Sequence, residues 1–175
     1  MLKNISNFNN LSDYLPILNG AILADIVIII LLYYTKVFGD LSSLKKWYEK
    51  YRLSAVLADV LILVIGLILA RYFYYKIFNE YSFAKFLFLV VVIQIIHDFL
   101  FYKLIINPLP KGKNNMIDLF KEYSKDVKGG AILGDSFMII ITVLFSSYFA
   151  NFNTNGNIIL LVSLLYILPY VLYIR

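Results

Sequence analysis

The sequence predicts an all-α fold: a polytopic transmembrane helix bundle forming a single integral membrane domain over residues 1–175. Composition, hydropathy and the lengths of the apolar runs all point to it. Apolar residues fill 61% of the 175 positions, well above the roughly 45–50% of soluble domains. Mean hydropathy is +0.78. The apolar residues are also gathered into blocks of about 20, the number of helical residues that crosses a bilayer, where a soluble core would alternate polar and apolar faces.

Five spans follow, the fifth being the weakest. The first, about 15–35, comes after an Asn- and Ser-rich segment that lacks a basic n-region and a cleavage site, so no signal peptide is expected. Gly39-Asp40 ends it. The second covers about 53–75 and finishes in Tyr72, Phe73, Tyr74 and Tyr75, whose amphipathic rings suit the headgroup zone. The third, about 84–106, lies between Asn79-Glu80 and Asn107-Pro-Leu-Pro110. The fourth covers about 129–150. The fifth, about 157–174, is short and contains Pro169, so a re-entrant segment leaving four spans is the alternative.

The two longer connections are amphipathic. Leu41, Leu44, Trp47, Tyr48 and Tyr51 share a helical face, with Lys45, Lys46, Glu49 and Lys50 around it. Met116, Ile117, Leu119, Phe120, Tyr123 and Val127 repeat the pattern among Asp118, Lys121, Glu122 and Lys125. Both are expected to lie in the interface against anionic lipid headgroups. A helical hairpin packed on the bundle is the other reading.

Charge sets the orientation. With five spans, twelve Lys and Arg fall on the side of these connections and of Arg175. Only Lys3, Arg71, Lys76 and Lys85 fall on the other. By the positive-inside bias the C-terminus is expected in the cytoplasm and the N-terminus outside. The basic residues follow this membrane rule, so nothing supports nucleic-acid binding. Cysteine is absent, which excludes disulfides, thiolate metal sites and cysteine nucleophiles.

A cluster of small residues ending in aspartate recurs inside the spans: Gly20-Ala-Ile-Leu-Ala-Asp25, Ser54-Ala-Val-Leu-Ala-Asp59 and Gly130-Ala-Ile-Leu-Gly-Asp135. Small residues at i and i+4 let helices approach closely, so Gly20 with Ala24, Ser54 with Ala58 and Gly130 with Gly134 are expected packing positions. Tyr72-Phe73 and Asn79 follow Asp59 at the spacings at which Tyr148-Phe149 and Asn155 follow Asp135. That coincidence suggests a parallel repeat, with spans two and three copied as spans four and five, as in some transporters.

A carboxylate in hydrocarbon is costly unless paired, protonated or facing a wet cavity. Asp59, Asp98 and Asp135 are expected at one level, roughly 9–12 Å in from the cytoplasmic side at about 1.5 Å per residue, with Asp25 nearer the midplane. Gln94, His97 and Asp98 share a face of the third span through their i, i+3, i+4 spacing. Arg52, Lys103 and Lys128 lie within reach of the carboxylates, although snorkelling to the headgroups is commoner.

These groups admit different functions. A structural or assembly protein would use the aspartates as interhelical hydrogen-bond glue, in a bundle open to homo-oligomer formation. A proton or cation channel or transporter would bind its ion on Asp25, Asp59, Asp98, Asp135, Gln94 and His97. A membrane-embedded metal-dependent enzyme would hold a divalent ion on the same cluster. No local ligand motif such as HExxH is present, no catalytic residue stands out, and no cofactor or metal site is identified.

The stretches Ile93-Gln-Ile-Ile-His-Asp98 with Phe99-Leu-Phe-Tyr102, and Gly134-Asp-Ser136 with Phe137-Met138, resemble uncharacterised multi-span proteins of large AT-rich-genome DNA viruses. The Asn, Lys, Ile and Tyr usage is similar to theirs. The resemblance covers residues 53–174 and implies a viral membrane protein of the virion's internal membrane. It supplies no catalytic residues.

Overall fold

The protein, seen in a computed structural model that describes residues 1–35, 42–127 and 130–173, is helical throughout, with no strand among those residues. A 3₁₀ turn, Leu11–Asp13, leads into α1 (Tyr14–Tyr34). Then come α2 (Ser42–Tyr51), α3 (Leu53–Ile77) and α4 (Phe83–Phe101), the last continued by a π-helical turn, Tyr102–Ile106. The chain closes with α5 (Asn115–Val127), α6 (Gly130–Phe149) and α7 (Thr154–Leu172). Five of these helices, α1, α3, α4, α6 and α7, are long and apolar enough to cross a membrane. The expected breaker Gly39-Asp40, the face residue Leu41, and the charges of Lys36, Lys128 and Arg175 lie outside the described residues.

The fifth span is a full helix rather than a re-entrant turn. Asn153 caps it by accepting a hydrogen bond from the Gly156 amide at 2.7 Å. Pro169 falls in its last turn, where a missing N–H costs a single bond close to the helix end.

α1 is the centre of the bundle. Its sequence is apolar all round, which suits a helix covered on every side, and it packs against α3, α6 and α7. α4 then bridges α3 and α6, so α1, α3, α4 and α6 close a ring with α7 outside on α1. The two hairpins of the expected repeat do not pack alike. α3 packs on α4, but among the described residues α6 and α7 barely touch, because α1 lies against both. The close approach begins at Gly20, where a Cβ would stand 2.8 Å from Ser146 N and 2.9 Å from Thr142 O. Asn19 also ties α1 to α7, donating to the Asn157 carbonyl at 2.9 Å and its Oδ1 at 3.1 Å.

The two short helices exist as expected, but their apolar faces turn onto protein. Trp47, Tyr48, Ile117 and Leu119 are all buried. Trp47 packs on Phe120 with ring centroids 4.7 Å apart, and Phe120 meets Phe101 of α4 at 6.1 Å. α2 and α5 therefore form a hairpin-like cover over one end of the ring, the packed alternative to an apolar face laid in lipid.

The N-terminal segment seals the opposite end. Lys3 donates its amide to Ser147 O at 3.0 Å and its Nζ to Ala150 O at 3.1 Å. Arg71 donates to Asn7 O at 2.6 Å and Asn10 O at 2.7 Å, pairs with Asp13 at 3.6 Å, and lies over the Tyr14 ring. Arg71 is thus an interior anchor, 1% exposed.

Candidate functional site

Under α2 and α5, the ring helices enclose a cavity of about 740 Å³. Asp59 of α3, Asp98 of α4 and Asp135 of α6 all line it, together with Gln94 and His97. The three carboxylates, expected at one level of their spans, thus border one space. Asp135 lies within electrostatic reach of both Asp98 and Asp59. No Lys or Arg is among the described lining residues.

Each carboxylate is held differently. Asp98 Oδ1 accepts from Gln94 Nε2 at 2.7 Å and meets His97 Nδ1 at 3.1 Å, as the spacing along α4 required. His97 in turn stacks on Phe101. Asp98 Oδ2 and Gln94 Oε1 are buried without partners, so the pair keeps unused acceptors. Asp59 Oδ2 accepts from the Trp47 indole at 2.9 Å and from Tyr48 at 3.0 Å. Asp135 makes no hydrogen bond among the described residues.

Asp25 does not line the cavity. It is fully buried beside it, 2.8 Å from the Tyr48 hydroxyl. That hydroxyl carries one proton and faces two carboxyls. Both contacts are satisfied together when one of the carboxyls is itself protonated and donates to the phenolic oxygen.

The phenols of the cover complete the site. Burial pushes the Tyr48 hydroxyl well above the usual tyrosine range, and the charges of Asp25 and Asp59 add to the effect. Burial likewise raises Tyr123, with Asp135, Asp59 and Asp98 contributing in that order. Tyr123 is therefore a neutral hydroxyl held near all the cavity carboxylates. Trp47, Tyr48 and Tyr123 were missed as functional residues in the sequence. The available signal was that these apolar faces carry an indole and phenols, which need partners when buried.

The packing expectations divide. Gly20 and Ala24 are buried between helices as expected. Ser54 and Ala58 are exposed and make no such interface, because α3 turns Ala55 and Val56 inward instead. Gly134 has nothing within 4 Å of where its Cβ would stand and lines the cavity. The surroundings of Gly130 lie outside the described residues. Arg52 does not approach Asp59; it donates to Leu172 O at 2.5 Å and lies over Tyr173, fastening the end of α7. Lys103 lies over Phe99 and not against Asp98.

Among the described residues, no group of three or more His, Asp, Glu or Cys side chains has metal-binding geometry. The carboxylates border a common space without converging on a point. No known family model, curated protein or solved structure matches the chain.

Proposed function

We propose that this integral membrane protein is a cation-binding carrier whose site is the acidic cavity. The observation that carries the reading is the gathering of Asp59, Asp98 and Asp135 from separate helices around one space without a lining Lys or Arg among the described residues. Carboxylates at membrane depth are stabilised by a cation or by protons, and that requirement is what makes them sites. The opposite half of the bundle, packed through Gly20 and anchored by Arg71, favours a carrier over an open channel. By the charge bias the cavity faces the cytoplasm. The resemblance to viral membrane proteins would put it in a virion's internal membrane; nothing in the site depends on that.

Proton flux in liposomes, followed with an entrapped pH dye, tests the reading alongside uptake of methylammonium. Either flux, lost in Asp98→Asn and Asp135→Asn proteins that fold normally, supports it. Absence of both fluxes, or their persistence in these variants, overturns it.

One observation favours a structural role beside this one. Tyr48 joins Asp25 of α1 to Asp59 of α3 while Trp47 holds Asp59 from α2. Asp25 in particular acts as interhelical glue, since it is sealed from the cavity.

A further inference from the structure

The cavity is large and aromatic for a site that holds only protons or a bare metal ion. We infer that its ligand is an amphipathic organic cation, an amine carrying an apolar chain, that enters sideways from the lipid between α4 and α6. The inference rests on the carrier reading and names the substrate class of the same site. At about 740 Å³ the space falls in the range of roughly 300–1,000 Å³ that small organic molecules occupy. Trp47, Phe101, Phe120 and Tyr123 line it beside the carboxylates, and aromatic faces with nearby negative charge are the surroundings that favour ammonium groups. Gln94, only 3% exposed, lines the cavity beside Asp98. The carboxylates of Asp59, Asp98 and Asp135 border the space where an ammonium head would donate its N–H groups.

The route is written in the exposed lining residues. Phe99 of α4, Tyr102 of the π turn, and Leu133 and Phe137 of α6 line the cavity and are also exposed, Leu133 at 74%. All lie within membrane spans, so the rim they form meets acyl chains and not water. An apolar chain can rest on that rim while its amine reaches Asp98 and Asp135. A hydrated inorganic ion gains nothing from such an entrance.

Trp47 is the only tryptophan of the chain and lines the cavity, so its fluorescence reports on occupancy. The full chain in phosphatidylcholine nanodiscs is titrated with dodecylamine, sphingosine, ethylamine and dodecyl sulfate. A saturable change is expected with dodecylamine or sphingosine; tighter saturation by sphingosine would assign a lipid source, and tighter saturation by dodecylamine a free amine. Half-saturation should rise at least tenfold in Asp98→Asn and in Asp135→Asn. Gly134→Leu, which fills the cavity where no atom stands within 4 Å of the new Cβ, should abolish the response while circular dichroism stays native. Ethylamine binding as tightly as dodecylamine overturns the inference and leaves the carrier reading intact. An equal response to dodecyl sulfate, indifference to the aspartate variants, or no saturable response to a long-chain amine overturns it too. The carrier reading is then decided separately by the flux measurements.

Discussion

Trp47 of α2 donates its indole N–H to Asp59 of α3 at 2.9 Å, joining a helix outside the membrane spans to a carboxylate inside one. Tyr48, the next residue, reaches the same Asp59 oxygen and also Asp25 of α1. Adjacent positions on a short amphipathic helix therefore clamp both buried carboxyls and set the roof of the cavity.

The clamp predicts a coupled loss. Tyr48→Phe keeps the ring but leaves Asp25 without its described partner, and an unsatisfied buried group costs about 1–3 kcal/mol. Asp25→Ala on its own should cost a similar amount. The double variant should lose less than the sum, by a coupling energy of about 0.5–3 kcal/mol. Thermal unfolding in detergent measures this, and strict additivity would show that the pair does not interact.

Glycines from two copies of one motif should behave oppositely. Gly20→Ala drives a methyl into the α6 backbone at Ser146 and Thr142, and overpacking of this kind costs about 1–3 kcal/mol. Gly134→Ala meets open space and removes a flexible residue from a helix, a gain of about 0.5–1 kcal/mol. Equal melting shifts for the two variants would contradict the packing described.

The contrast marks what the sequence could reveal. Span positions were legible because helix length and hydropathy are local properties: α3 begins at Leu53 and α6 ends at Phe149, as the apolar blocks indicated. The shared level expected for Asp59, Asp98 and Asp135 came from the rise per residue and the direction of each span, and all three border one cavity. Which small residues make contacts did not follow. Gly20 and Gly134 are the first and fifth residues of two copies of one motif, and only the placement of α1 against α6 shows which of them makes a close contact. The buried links Asn19 to Asn157 and Arg71 to Asp13 join residues distant in sequence, so no spacing rule reveals them. Trp47 and Tyr48 were visible as an apolar face, but their polar tips acquire partners only once α2 is folded onto the ring.

Arg71 should be the most sensitive position on the end opposite the cavity. Its guanidinium holds the carbonyls of Asn7 and Asn10 and pairs with Asp13. Arg71→Met leaves Asp13 buried and unpaired, and breaking a buried ion pair costs about 3–5 kcal/mol. The N-terminal segment should then detach, and trypsin should cut after Lys3 faster than in the parent protein. Unchanged cleavage would mean that Lys3 and its contacts with Ser147 and Ala150 hold the segment without Arg71.

Alkali should open the clamp late. The Tyr48 hydroxyl is held well above the ordinary tyrosine range by burial, with Asp25 and Asp59 adding to it. A group whose folded pKa is raised contributes its stability in full below the unfolded value, about 10 for tyrosine, and loses it as pH rises through the folded value. Stability from Tyr48 is therefore intact through neutral pH and begins to fall only above about pH 10. The tyrosinate absorbance at alkaline pH, taken as the difference between the parent and Tyr48→Phe, should appear well above the ordinary tyrosine range. If that difference instead rises near pH 10, the ordinary value for tyrosine, Tyr48 is solvated and the roof over Asp25 and Asp59 is not closed as described.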